Sequence, residues 1–266
     1  MTTTLPWNRY VELRPEQLDY FRATIPILYL PCGGLAWRGP HLPVGLGTIM
    51  AEHVAERVVR RTGGVLLPTL PWPSAGIPHP ASLVLSSTTT RSVLDELLAQ
   101  IAQSGWQIVV LVGGHYSQAH DLICMEAAEA AIKQHDLLVL ALPPLAMVDE
   151  EMLDHGALWE TSAMLAIRPE LVQLDQLGTD PMTPHQSGVV GRDPRLTASA
   201  SLGASALGLA VERISIAVND LRAKDEAAPL LALYQRRRDH YRAFLQRYGD
   251  EPVAAVRAWW TSLSTA

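Results

Sequence analysis

Cysteine is scarce: Cys32 and Cys124 are the only two in 266 residues, and they lie in different segments with no Cys-x-x-Cys or Cys/His spacing. That excludes a disulfide framework and a structural zinc site, and it makes a reducing cytoplasm the expected location. An excess of cations is also absent. Lysine plus arginine number 21 against 27 aspartate plus glutamate, a formal charge of −6. No continuous basic surface is then available to neutralise phosphates, and nucleic acid is not an expected partner. The longest apolar run, residues 137–148, is broken by Pro143 and Pro144, and residues 1–17 lack the apolar centre of a signal peptide. No membrane span is expected. Glycine (18) and proline (19) are frequent but follow no period, which excludes collagen-like and low-complexity chains.

What is present is a chain with 48% apolar and 18% charged residues, long enough to bury a large core. Short runs rich in Leu, Val and Ile alternate with longer amphipathic stretches, as βα units around a parallel sheet require. The pattern predicts strands over residues 25–30, 65–70, 107–112 and 137–142, and helices over 48–61, 91–104, 118–135 and 158–167. In the third helix Ala119, Leu122, Ile123, Glu126 and Ala127 share one face at i, i+3, i+4 spacing, which suits packing on a sheet. The expected fold class is α/β: one domain over residues 1–222 with a mostly parallel central sheet, covered by helices on both faces. Residues 223–266 are expected to form a helical C-terminal extension. Two long helices, 201–222 and 227–248, are separated by Lys224, Asp225 and Glu226, and a shorter segment carries Trp259 and Trp260. The run Arg236, Arg237, Arg238 reads as a solvated helix face.

In open α/β sheets, ligands gather where strands end and loops begin. Three junctions qualify: the turn-rich loop over residues 30–47, the segment 112–118 containing Gly113, Gly114 and His115, and the polar helix entry 154–162. No Walker spacing, no Gly-x-Gly-x-x-Gly after a first strand and no Gly-x-Ser-x-Gly elbow occurs, so nucleotide binding and a serine-hydrolase triad are set aside. Cys32 ends the first strand and can be a nucleophile or a small buried hydrophobe. Each histidine in these loops has a plain alternative as a hydrogen-bonded packing residue.

Five motifs stand in order along the chain: Gly39-Pro40-His41-Leu42-Pro43; Gly114-His115; the run from His155 to Glu160-Thr161-Ser162; Met164-Leu165-Ala166 with Arg168-Pro169; and Ser187-Gly188-Val189-Val190-Gly191 with Asp193-Pro194. Together they resemble the creatininase (creatinine amidohydrolase) family over about residues 25–222. The resemblance implies a creatininase-like α/β fold, a homo-oligomer often built as a hexamer, and hydrolysis of small amides or lactams with two divalent metal ions. It also exposes a departure. The family's first loop reads Glu-x-His-Gly-Pro-His-Leu-Pro-x-x-x-Asp, with its Glu, His and Asp implied as metal ligands; Ala36, Arg38 and Gly47 stand at those places. In the family's Asn-Gly-His-x-Glu-Asn the His and Glu are also implied ligands, and the matching residues here are His115 and Ser117. Of the implied ligand set His115 alone survives, so no metal and no other cofactor is expected. His79, His120 and His185 have no spacing that would rebuild a site.

The resemblance makes His155 the proton donor or acceptor beside the substrate, with Glu160 matching the family's Glu-Thr-Ser run. An imidazole exchanges protons at neutral pH without a metal. The expected catalytic set is therefore His155, Glu160, His115 and Tyr116, with Arg38, Trp159, Trp37 and Ser117 binding substrate. Arg38 introduces a permanent cation where the family implies metal, suited to a carboxylate or an oxyanion; a drifting surface arginine is its plain alternative. Three functions follow as expectations. One is a repurposed enzyme running metal-independent acid/base chemistry, such as ring closure, ring opening, elimination or isomerisation, on a small polar or cyclic molecule. Another keeps amide or lactam hydrolysis, and the third is a pseudoenzyme with a retained pocket.

Overall fold

The computed structural model describes residues 5–263. Strand β1 (Trp7–Arg9) and helix α1 (Pro15–Thr24) lead into β2 (Ile27–Cys32), then α2 (Leu46–Thr62), β3 (Gly64–Leu66), α3 (Ser87–Gln103), β4 (Ile108–Gly113), α4 (Gln118–His135) and β5 (Leu138–Leu142). Helix α5 (Leu158–Ile167) and two single-turn helices, α6 (Pro184–Ser187) and α7 (Pro194–Thr197), follow, and α8 (Ala200–Lys224), α9 (Ala228–Tyr248) and α10 (Pro252–Ser262) close the chain.

The five strands form one parallel sheet in the order β1-β3-β2-β4-β5. Every residue of β2, β4 and β5 is buried, which is why they read as unbroken apolar runs: both faces are covered. Helix α2 carries the chain from β2 outward to β3, and α4 carries it from β4 outward in the opposite direction to β5. Right-handed crossovers therefore place α2 and α4 on opposite faces. Helices α5 and α8 pack with α2, and α3 packs with α4. The strand order reverses between β2 and β4, and the crevice beyond their carboxyl ends is the place where such sheets hold ligands.

The expected elements are present with shifted ends. The strand expected over residues 65–70 keeps sheet pairing only through Leu66. Pro68 has no N–H to donate, and the chain rejoins β2 at an isolated bridge between Leu70 and Cys32. The β2 strand begins at Ile27 rather than Ile25, just past Pro26. Helix α3 begins four residues earlier than its apolar period shows; the weak Ser-Thr-Thr-Thr turn is held by Ser86, whose hydroxyl accepts the Thr89 N–H at 3.1 Å. Strand β1 was not anticipated, being too short for its period to register. On α4, Ala119, Leu122, Ile123 and Ala127 are buried, whereas Glu126 is exposed and pairs with Arg91 at 3.3 Å.

Helix α8 is long and apolar enough to cross a membrane by length and composition. Its buried stripe, including Ala206, Leu207, Ala210, Val211 and Ile214, packs on α5 and α2 instead. The approach is so close that a Cβ on Gly203 would lie 1.9 Å from the Ser162 carbonyl oxygen.

The C-terminal extension packs tightly on the α/β body. Tyr234 of α9 donates its hydroxyl hydrogen to the Val139 carbonyl and accepts the Ala141 N–H at 3.0 Å, so one phenol pairs two backbone groups of the edge strand β5. The solvated face expected for Arg236–Arg238 is corrected at its centre. Arg237 is buried, bonded to Asp121 of α4 and the Tyr241 hydroxyl (2.8 Å) and paired with Glu150 at 3.0 Å. Its burial reflects helix periodicity: it lies on the same stripe as Leu230, Tyr234 and Tyr241, which face the body.

Candidate active site

Arg38 lies on the loop after β2, yet its side chain is only 2% exposed. Its Nε–H donates to Glu160 Oε1 at 3.0 Å, and an Nη2–H donates to His115 Nδ1 at 3.0 Å. This bond fixes the histidine's tautomer, since His115 Nε2–H donates in turn to the Ala75 carbonyl. The second Glu160 oxygen accepts the Gly156 N–H at 2.7 Å. Gly156 adopts φ +59°, and a Cβ there would meet the Arg38 carbonyl oxygen at 2.5 Å; the turn that presents Glu160 therefore requires glycine. One arginine thus ties together the loops after β2 and β4 and the first turn of α5.

His155 sits on the turn before α5, bridged to Val190 by backbone hydrogen bonds of 3.1 and 2.8 Å. Its Nδ1–H donates to the Gly188 carbonyl at 2.7 Å, which leaves Nε2 as the acceptor, and that atom has no partner. Arg38 Nη1 and the Ser117 hydroxyl are likewise buried and unpartnered. Arg38, His115, Tyr116, Ser117, Asp154 and His155 all line one cavity of about 110 Å³.

Burial first, and the Arg38 charge second, push both His155 and His115 well below the ordinary imidazole pKa. Both rings rest neutral at pH 7, so His155 meets a ligand as a base. Burial raises Glu160 against the pull of Arg38. Asp154, whose two oxygens accept the Trp159 N–H (2.7 Å) and the Glu160 N–H (3.1 Å), is pushed up to about 8 by burial and by the neighbouring Glu160. The cavity therefore holds a neutral base beside a carboxyl group able to carry a proton at neutral pH.

Arg38, Glu160 and His115 are brought into direct contact, and His155 and Ser117 line the same cavity as Arg38 and His115, whereas Glu160 is fully buried behind Arg38 and is not among its lining residues. Tyr116 also lines it, but its hydroxyl donates to Met50 Sδ at 3.6 Å, and burial pushes the phenol well up. Trp37 stacks on His79 at 4.4 Å and meets Trp260 edge-on, and Trp159 lines an adjoining groove that shares Leu153, Asp154 and Val190 with the cavity; neither tryptophan is among the cavity's own lining residues. Cys32 is buried, its thiol pushed up to about 12 by burial, which suits the small hydrophobe. Sequence reasoning missed Asp154, although it adjoins His155, and Asp121, Tyr241, Val256 and Trp259, which also line the cavity. Nothing in one sequence couples residues more than a hundred positions apart.

Residues 12–218 match the family model for creatininase, creatinine amidohydrolase. The chain belongs to the creatininase family. The creatinine amidohydrolase of Pseudomonas putida is 28% identical over 181 residues, spanning 58% of this chain and 69% of that protein. The mycofactocin precursor peptide peptidase of Mycolicibacterium smegmatis is 28% identical over 162 residues, spanning 58% of this chain and 62% of the peptidase. A crystal structure of creatininase has the same fold, with a TM-score of 0.71 at 22% identity, covering 82% of this chain and 98% of that one. Other creatininase structures include a zinc–zinc form of a mutant and a manganese form.

The residues of this creatininase-family chain do not fit such a metal centre. Both nitrogens of His115 are engaged, one by the Arg38 guanidinium and the other by the Ala75 carbonyl, so no lone pair is left for a cation. Gly47 is pressed against Gly114: a Cβ on Gly47 would lie 2.8 Å from the Gly114 carbonyl oxygen, leaving no room for a ligating side chain. Among the described residues no group of three or more His, Cys, Asp or Glu is placed to hold a metal ion. His79 lies on Trp37, His120 bonds Ser74 at 2.9 Å, and His185 Nε2 bonds the Trp260 carbonyl at 2.8 Å. A buried guanidinium also repels a cation.

Proposed function

We propose that this creatininase-family protein is a metal-independent enzyme that moves a proton within a small polar or cyclic molecule carrying a carbonyl group, with ring opening, ring closure, elimination or isomerisation as the outcome. The observation that carries this reading is the unpartnered Nε2 of His155, held as an acceptor by the Nδ1–H bond to Gly188. His155 Nε2 takes a proton from the atom next to the carbonyl carbon. The electron pair moves toward the carbonyl oxygen, which accepts the free N–H of Arg38 Nη1 in place of a metal ion. The imidazolium N–H exchanges with solvent and then protonates a different atom of the same molecule: a carbon or oxygen for isomerisation, or, for elimination and ring opening, the heteroatom whose bond to carbon breaks as the electron pair returns from the carbonyl oxygen. Ring closure is the reverse, and no co-reactant is consumed. Glu160 and His115 act through Arg38 as positioning residues, and Asp154 offers a proton donor at the same wall. We place the enzyme in the cytoplasm, acting on a small-molecule substrate as a homo-oligomer. The exposed apolar side chains Trp72, Leu83, Val84 and Val93 support a subunit contact.

A second reading, C–N bond hydrolysis with water activated by His155, is favoured by the names of the relatives, an amidohydrolase and a peptidase. A pseudoenzyme is the third. The test is turnover of a panel of cyclic amides, carboxamides and 2-oxo compounds followed by NMR in D₂O. The first reading expects deuterium at the transferred position without net hydrolysis, unaffected by EDTA. His155→Gln should lower the rate about 10²–10⁴-fold, the usual worth of a general base. Activity abolished by EDTA, or unchanged in His155→Gln, overturns the proposal; a hydrolysed product selects the second reading, and turnover of nothing selects the third.

A further inference from the structure

The match to the family ends at residue 218, ahead of α9, and the creatininase crystal structure is covered over 98% of its own length by only 82% of this chain. Helices α9 and α10 lie beyond the stretch that matches the family model, and they border the same crevice. Tyr241 of α9 and Val256 and Trp259 of α10 line the same cavity as Arg38 and His155. Trp260 packs against His155 with ring centroids 6.5 Å apart and against His185 at 4.4 Å.

The seating of these helices is built in two places. Tyr234 pairs with the β5 edge. Arg237 and Tyr241 both bond Asp121, the phenol at 2.6 Å, and Asp121 itself lines the cavity. The cavity lining is mixed. Arg38, His115, Asp121, Asp154 and His155 are among its polar residues, whereas Ile77, Leu153, Val190, Val256 and Trp259 supply apolar surface. Trp259 is only partly buried and is braced edge-on by Phe244 at 6.3 Å, so an indole face is held on a rigid support beside the cavity.

We infer that α9 and α10 form a substrate-selecting wall, in which Trp259 and Val256 receive the flat apolar portion of a ligand whose carbonyl end lies at Arg38 and His155. A ring or planar chain would bury its face on the indole, and a ligand without one would forfeit that contact. The inference rests on the reading of Arg38 and His155 as the polar end of the site, and the experiment separates the two. Benzamide and acetamide share a carboxamide and differ in the ring. Their dissociation constants are measured by chemical-shift titration of the full-length protein, with intermolecular NOEs recorded from the benzamide ring protons. The wall predicts NOEs to the Trp259 indole and Val256 methyls and at least tenfold tighter binding of benzamide. It also predicts that Trp259→Ala reduces this preference at least fivefold and that Trp259→Phe retains it. No preference for benzamide, no such NOEs, or a Trp259→Ala variant that weakens both amides equally overturns it. The NOEs need no variant, so a poorly folding substitution does not shelter the proposal. If His155→Gln leaves both affinities unchanged while the Trp259 effects hold, the wall stands and the polar-end reading fails.

Discussion

Arg38 shows how one side chain reorganises a site. A buried ion pair is weak evidence of net stabilisation, because desolvating two charges offsets most of their attraction, but removing one partner strands the other. Glu160 is fully buried, and among the described residues its carboxylate has, apart from Arg38, one hydrogen-bond partner, the Gly156 N–H. Arg38→Ala should therefore destabilise the protein by about 3–5 kcal/mol in chemical denaturation, and Arg38→Ala/Glu160→Gln should recover a large part of that loss. Equal destabilisation of the single and double variants would show that the pair is not coupled. The sequence discloses that a cation stands where the family implies a metal; burial of Arg38 removes the surface-arginine alternative, and its ties to Glu160 and His115 were not legible. The partners of Arg38 come from positions 77 and 122 residues away, a closure that no local spacing encodes.

Asp154 carries a pH signature at the same scale. Its carboxyl is raised from about 3.9 in an unfolded chain to about 8 in the fold. The folded state therefore holds its proton more tightly, and the contribution is fully present below pH 4 and is lost as pH rises through 8. Asp154→Asn never ionises and can still accept a helix N–H. Its melting temperature relative to the parent should rise from pH 4 to pH 8 and then level off. A difference that is flat across that window would contradict the assignment.

Among the elements, those legible in the sequence were the ones whose period is enforced by burial. Helices α4 and α5 match their expected bounds because burial enforces their apolar faces, although neither N-cap residue bonds the first turn with its side chain. Elsewhere the ends moved where proline removes a donor, as at Pro26 and Pro68, or where a cap sustains a weak turn, as at Ser86. The edge of β5 shows what a linear reading misses, since its pairing partner is the side chain of Tyr234 rather than a strand. Tyr234→Phe would leave a buried N–H and a buried carbonyl unpaired, a loss of about 1–3 kcal/mol. Amide hydrogen exchange should speed at Ala141 in that variant. Unchanged stability and exchange would show that β5 does not depend on α9.

At the scale of the whole molecule, the parallel sheet covered on both faces was readable from strand composition, and the ordered motifs gave the family. The relation of the C-terminal helices to the rest was not readable: a segment expected as an extension roofs the crevice at the switch point between β2 and β4. In the same crevice the Arg38 guanidinium stands where the family implies a metal ligand, tied to His115 and Glu160. Calorimetric titration of the purified, chelator-treated protein with Zn²⁺ and Mn²⁺, alongside His115→Ala, tests this replacement most directly. No stoichiometric binding that His115→Ala removes is expected; one or two equivalents of tightly bound metal, lost in His115→Ala, would show that the guanidinium has not taken a metal centre's place.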